Sequence, residues 1–400
     1  MSFNISEWLN LIFRWVHVFV SIMWIGQTFL FTWMDRALNA EESLWMVHSG
    51  GFYEVVKRRY LAPAEVPASL HWFMWEAYTT WISGFFLLGV VYFVGGGVFL
   101  VDPGVRHLPL AGAIGLSLSV LVLGWLVYDT LWRSPLGTRP TLAASISFAL
   151  IAAAAIGLTR VYSGRAAFLL LGAMLGTIMA ANVWRRIIPA QRQMLAATRA
   201  GGTVDVSLGV RAKQRSIHNH YLTLPVLFTM LSNHFPSAYG HPLSWLVLVL
   251  LVIVGAAVKH VMSFRARSSR WAVLAGAGAL AAGVALTVRV PVPGATATGL
   301  ASGDPVSFET AHAIIGRRCL SCHAAHPSNP SFPQPPAGIV LEDPARIRSL
   351  APRILVRAVV TKTMPLGNLT GMTDGERDSL RAWIAQGARI DLTAGTPDRP

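Results

Sequence analysis

Long apolar runs, separated by short clusters rich in Pro, Gly and Arg, fill the first 290 residues, after which the pattern changes to a short, more polar segment with helical periodicity. A helix crosses the ~30 Å hydrocarbon layer of a bilayer in about 20 residues. Eight runs meet that need, over roughly 8–34, 70–95, 110–132, 141–159, 165–188, 217–235, 243–262 and 271–290. The first has no basic flank ahead of it, is long for a signal sequence and shows no small-residue cleavage site, so it reads as a retained span. Residues 291–304 are Pro-, Gly- and Ala-rich and read as a linker, leaving 305–400 as a second domain. The expected fold is all-α: an eight-helix transmembrane bundle over 1–290 followed by a small helical domain.

Composition sharpens this picture. Hydrophobic residues make up 53% of the chain and charged ones 13%, about half the charged fraction usual in soluble domains. The mean hydropathy is +0.49. The formal charge of +14 would suit nucleic acid only if it formed a patch on a polar domain. Here the cations lie between apolar runs, where they act as orientation signals, so no nucleic-acid partner is expected and membrane lipid is. One set of connections carries Arg36, Lys57 to Arg59, Arg133, Arg139, Arg185, Arg186, Arg192, Arg199, Arg211, Lys213, Arg215, Lys259, Arg265, Arg267 and Arg270; the opposite set offers only Arg106, Arg160 and Arg165. The basic side is cytoplasmic by the positive-inside bias. Both termini then lie outside, in the periplasm if the cell is Gram-negative, with the bundle in the inner membrane.

The two cysteines of the chain, Cys319 and Cys322, stand in Cys319-Leu320-Ser321-Cys322-His323. This C-x-x-C-H spacing attaches a haem through two thioethers and holds the adjacent imidazole under the iron, which makes the second domain a class I c-type cytochrome with one covalent haem c. A thioredoxin-like thiol pair is the competing reading. Met364, on the loop Thr363 to Asn368, is the candidate sixth ligand. Met372 suits packing better, since Thr373 to Glu376 reads as a capping box opening an amphipathic helix. Leu380, Trp383 and Ile384 of that helix should cover the helix that starts near Phe308.

Ionisable groups inside spans are costly and are functional candidates by default. His71, His218, His220 and His260 fall at the basic ends of their runs, with Glu76, Asp129, Asn182 and Asn219. Each histidine alone reads as an interfacial residue; together they suggest a metal or b-type haem site, with His260 a candidate ligand of a second centre, or a pocket for a polar substrate. The stretch His71 to Glu76 is expected on a helix, presenting Trp72, Trp75 and Glu76 on more than one face. His17, deeper and nearer the outer side, is the natural ligand of an intermediate electron carrier.

The stretch His71-Trp72-Phe73-Met74-Trp75-Glu76-Ala77-Tyr78, the eight spans, and C-x-x-C-H with Met364-Pro365 together resemble the bacterial membrane urate oxidases, or urate hydroxylases, which fuse a membrane domain to a C-terminal cytochrome c. The resemblance implies oxidation of urate to 5-hydroxyisourate, with electrons passing to the fused haem and on to a terminal oxidase or a soluble cytochrome c, and no hydrogen peroxide formed. On that reading His218, Asn219 and His220 contact the purine, Trp72 or Trp75 stacks on it, Glu76 or His71 takes protons, and water supplies the oxygen. The alternative is a membrane-anchored electron carrier fed by quinol or another redox partner. A transporter is disfavoured, since neither paired broken helices nor an internal repeat is visible.

Overall fold

The computed structural model describes residues 5–39, 41–58, 61–94, 97–264, 269–288, 306–332 and 334–390. The expected linker lies outside them. The fold is mostly helical, and the apolar runs become long helices: α1 (Ile5–Ala37), α2 (Trp75–Leu88, extended by a π-helical turn, Gly89–Val94), α3 (Leu110–Arg133), α4 (Pro140–Thr159), α5 (Gly164–Asn182), α6 (Ile188–Arg199), α7 (Val206–Leu231), the single-turn α8 (Pro236–Tyr239), α9 (Ser244–Ser263) and α10 (Ser269–Val288).

Among the described residues, seven helical segments are long and apolar enough to cross a membrane, one fewer than the eight runs. The exception is α7, whose first half carries Arg211, Lys213 and Arg215 and whose middle carries His218, Asn219 and His220. It tolerates this because its polar side chains turn inward: Arg215, Asn219, Thr223 and Thr229 are all buried. A helix enclosed by protein has no need of an apolar surface. The central helix is α5, with 72% of its most apolar window buried, whereas α1 and α10 bury only 6% of theirs.

Helix contacts at the centre are close. A Cβ on Gly255 of α9 would stand 2.7 Å from the Pro225 ring of α7, so the two backbones meet directly there. Two departures from an all-helical pattern matter for the site. Residues 44–55 form an antiparallel hairpin, β1 (Leu44–His48) and β2 (Gly51–Val55), on the basic side of the bundle. And α2 begins at Trp75, so His71 to Met74 precede the helix instead of lying on it.

The C-terminal unit is built from α11 (Phe308–His323), α12 (Pro344–Ile354) and α13 (Asp374–Ala385). Leu380 and Trp383 are fully buried, and the Trp383 ring lies 5.9 Å from that of Phe308, so α13 covers α11. The capping box at Thr373 and Glu376 is present. Glu376 also accepts from Arg318 Nε at 3.0 Å, tying α13 to the α11 turn that precedes Cys319.

The unit rests on the end of the bundle opposite the basic loops. Phe332 meets Phe99 with ring centroids 6.4 Å apart, and Arg357 Nη1 donates to Tyr239 Oη at 3.2 Å. Gly240 is pressed against Thr361 and Thr363, where a Cβ would come within 2.7 Å of either side chain. The turn bearing Phe99 is in turn held by Ser163 ahead of α5, whose N–H donates to Leu100 O at 3.1 Å and whose hydroxyl donates to Phe99 O at 2.7 Å.

Burial alone would raise Glu376, but the Thr373 N–H and Arg318 outweigh it and hold the carboxyl below its ordinary 4.5. Its contribution to stability is therefore complete above about pH 4.5 and is lost as the pH falls through the lowered folded value. Protection of the 308–323 and 374–385 amides, with the intrinsic pH dependence of exchange divided out, should fall on acidification in the wild-type protein. Glu376→Gln should already exchange roughly fivefold faster at neutral pH and lose this extra acid sensitivity.

Candidate functional site

Two sets of functional side chains occupy opposite ends of the molecule. At the basic end, α5 does not pass smoothly into α6: a π-helical turn, Val183–Ile187, intervenes, and Pro189 restarts the α-helix. Such bulges redirect the side chains around them. Here one opens a cavity of about 480 Å³ between this turn, α1, α7 and the segment before α2. Its wall includes Trp24, Gln27 and Thr28 of α1; His71, Trp72 and Phe73; Gln191 of α6; and Ser216, Asn219 and His220 of α7.

Four of the residues singled out in the sequence, His71, Trp72, Asn219 and His220, thus meet in one space. They are not equivalent. Asn219 has its amide committed, accepting from Asn182 Nδ2 at 3.0 Å and donating to Met179 O at 3.0 Å, so it forms wall more than binding group. His71 meets Phe73 edge-on with ring centroids 4.6 Å apart, and neither it nor His220 makes a hydrogen bond among the described residues. Two imidazoles therefore remain available to a ligand. The Trp72 ring carries the Arg192 guanidinium at 5.7 Å, which sets a positive charge beside an aromatic face.

The other residues fall elsewhere. His218 points away from the cavity and shares a 2.7 Å hydrogen bond with Tyr128 Oη, its ring 4.0 Å from that of Trp132. Residues two apart on a helix lie about 200° apart around its axis, so His218 and His220 cannot face the same space. Trp75 is 65% exposed and meets Tyr78 edge-on, with centroids 5.9 Å apart. Glu76 does not line the cavity; its Oε2 is buried without a hydrogen-bond partner. His260 is taken up by Tyr221 Oη at 2.7 Å, and among the described residues no group of three His, Cys, Asp or Glu side chains is arranged to hold a metal. His17 donates from Nδ1 to Thr80 O at 3.0 Å, leaving Nε2 as an acceptor, and its ring lies directly against Gly84.

A buried ionic cluster stands behind the cavity. Asp129 of α3 accepts from Arg186 in a forked pair and from Arg215 Nη2 at 3.1 Å. The Arg215 guanidinium lies 4.9 Å over the Tyr128 ring, and Tyr128 Oη accepts from Asn182 Nδ2 at 3.1 Å. Hydrogen bonds thus run from His218 through Tyr128 and Asn182 to Asn219 at the cavity wall. Trp24, Gln191, Tyr128 and the role of Arg186 escaped the sequence reading. A buried Asp129 needing cations was the available signal for Arg186.

At the other end, Cys319, Cys322 and His323 occupy the last turn of α11. His323 Nδ1 donates to Ile339 O at 2.9 Å, so Nε2 carries the lone pair that an axial iron ligand must present. Met364 packs against the same core as Cys319, while Met372 is 3% exposed within it. Arg377, itself buried, donates to Met364 O at 2.8 Å, to Ala358 O and to Asn368 Oδ1 at 3.2 Å, and so fixes the Met364 loop from behind. This donor set fits a c-type haem. It fits a thiol–disulfide pair poorly: such pairs favour a thiolate near a helix N-terminus, whereas burial, with Cys322 adjacent, pushes the Cys319 thiol at this C-terminal turn up to about 12.

These features define a helical protein with several helices apolar enough to span a membrane and a cavity lined with aromatic rings and imidazoles. Residues 3–289 match the model of the family described as Urate oxidase N-terminal, and the chain belongs to that family. No curated protein and no solved structure matches the chain. The family connects it with urate oxidase and hence with oxidoreductase chemistry.

Arg377→Lys should keep the charge and lose the fork that holds the Met364 loop. The expected result is a spectrum in which thioether ligation is weakened while the covalent pigment survives denaturation. A variant with unaltered ligation would show that Arg377 does not position Met364.

Proposed function

We propose that this chain is a membrane urate hydroxylase that oxidises urate to 5-hydroxyisourate and passes the electrons to a c-type haem held by Cys319, Cys322, His323 and Met364. The observation that carries this reading is the meeting of Trp72, His71 and His220 in one cavity within the segment that belongs to the urate oxidase family. Urate plus water gives 5-hydroxyisourate, two protons and two electrons. A site for it must hold a flat, electron-rich anion and remove two protons.

The cavity supplies both needs. Trp72 offers a stacking face, with Trp24 and Phe73 in the surrounding wall. His71 and His220, whose rings have no hydrogen-bond partner among the described residues, would accept the protons released as water adds to the ring. Gln27, Gln191 and Ser216 provide hydrogen-bonding groups for the purine edge. Glu76, whose Oε2 is buried without a hydrogen-bond partner, lies outside the cavity wall and carries no step of this reaction.

Covalent haem supplies a one-electron acceptor, so substrate oxidation requires two successive transfers. From Glu76 to Val94, α2 and its π-helical extension rise about 27 Å towards the C-terminal unit. His17, lying against Gly84 midway along that path, is the residue that would hold an intermediate centre through Nε2. Basic loops in the cytoplasm and the cytochrome outside fit this arrangement, because the C-terminal unit rests on the end of the bundle whose connections carry only Arg106, Arg160 and Arg165. A terminal oxidase or soluble cytochrome c would then take the electrons at the outer face.

Adding urate to membranes that hold the oxidised protein should reduce the c-type absorption bands. His220→Ala and Trp72→Ala should each slow that reduction by about 100-fold, the usual scale for losing a general base or a positioning group, while dithionite still reduces the haem fully. Reduction by quinol and not by urate would replace this reading with that of an electron carrier. Release of the membrane segment's pigments after acid extraction tests the His17 centre; absorbance from the thioether-linked haem alone would count against it.

A further inference from the structure

Lys259 stands just before the last turn of α9 and counts, by position, among the charges expected at the basic end of the bundle. Such lysines usually extend to the interface and keep the ammonium in water. Lys259 does not: it is 0% exposed, and its Nζ has no hydrogen-bond partner. Its one close neighbour is the Phe29 ring of α1, with the centroid 3.8 Å away. A cation–π contact offsets only part of the cost of enclosing an ammonium.

The charge is near the candidate substrate site. Phe29 follows Gln27 and Thr28, which line the cavity, and Lys259 acts through space on His220 in the opposite wall element, α7. The carboxylate that also acts on His220 is Asp35, and it is already engaged by Lys57. Asp129 is saturated by Arg186 and Arg215, and Glu76, whose Oε2 is buried without a hydrogen-bond partner, forms no ion pair with Lys259 among the described residues. The cavity thus has a fixed positive charge behind it that no protein anion neutralises among the described residues.

We infer that Lys259 is the counter-charge for the substrate: a buried cation held unpaired behind the α1 wall of the His220 cavity, neutralised through space when a planar monoanionic heterocycle binds. This rests on the proposed urate site and adds the origin of its preference for an anion. Lys259 here selects and orients substrate by charge. It takes no part in proton transfer.

The test compares full-length wild type, Lys259→Met and Lys259→Arg for binding of urate and of xanthine, by tryptophan quenching at a pH where urate is the monoanion and xanthine is neutral. The wild type should favour urate. Lys259→Met, similar in shape but uncharged, should weaken urate binding at least about tenfold and leave xanthine within about twofold; Lys259→Arg should retain the preference. The ligand-free Met variant should unfold at the same temperature as wild type or higher, since an unpaired buried charge has been removed.

Unchanged urate affinity in Lys259→Met, with wild type still reduced by urate, would overturn the role of Lys259 alone. Equal loss of both ligands together with a lower unfolding temperature would overturn it too, by making the lysine a structural strut. If xanthine binds no form of the protein, urate affinity that falls in the Met variant and survives in the Arg variant supports the proposal, and any other pattern overturns it. Wild type that binds no urate at all would overturn the proposal together with the site it rests on.

Discussion

The organisation of the basic end depends on Asp129. A carboxylate that is only 4% exposed between helices must be compensated where it lies, and two arginines from two different elements do so: Arg186 from the π-helical turn and Arg215 from α7. This pins three elements to one point. Removing Asp129 would leave Arg215 buried and uncompensated, a loss of about 3–5 kcal/mol on the scale seen for broken buried pairs. Its more specific effect is to hold the π-helical turn open against α7, which is the geometry that the cavity requires. The same guanidinium, lying over Tyr128, continues the constraint through Asn182 to Asn219, so the wall of the cavity is connected to the ionic cluster by a continuous run of contacts.

That dependence explains why much of the fold was legible in the sequence and less of the site. Apolar runs report length directly, and helices α3, α4 and α9 begin and end within a residue or so of the runs that predict them. Hydropathy does not distinguish a charge in water from a charge inside protein. Arg215 and Lys259 read as loop cations, and both are buried; α7 falls short of the apolarity of a span because it carries exposed Arg211 and Lys213 as well as the inward-turned Arg215 and Asn219. The His71 to Glu76 stretch looked helical from its spacing, yet the helix starts only at Trp75, and this local departure is what lets His71 and Trp72 reach across to α7. The disagreement of His218 with His220 was legible in principle from helical periodicity. The role of Asn219 was not, because it depends on Asn182, 37 positions away.

The C-terminal motif was legible for a different reason. Covalent haem attachment would require fixed residue types at a short spacing, so Cys319, Cys322 and His323 can be proposed as its ligands without knowing the fold. What the sequence could not reveal is which face of that unit meets the rest of the chain. Thr361, Thr363 and Gly367, which flank Met364, lie on the Tyr239–Gly240 turn and against the backbone of Val98 and Val101. The methionine loop is therefore the contact surface, and Arg377 stiffens it from the far side.

The two ends then impose a requirement on each other. The cavity at the basic end and the Met364 loop at the opposite end are separated by the length of α2, and electron transfer between the two proposed sites in one step over such a distance would be slow. The chain places few polar groups along this path, and His17 is distinguished among them: one ring nitrogen is fixed by the Thr80 carbonyl, a short distance from Ser83, while the other is left with its lone pair. A histidine retained only for packing gains nothing from that arrangement, because an apolar ring of similar size would fill the space over Gly84 without a buried polar atom. The orientation of this imidazole, set by a backbone carbonyl in the same manner as His323, leaves the Nε2 lone pair without a protein partner among the described residues. The proposed two-step electron path uses His17, the length of α2 and the position of the Met364 loop together.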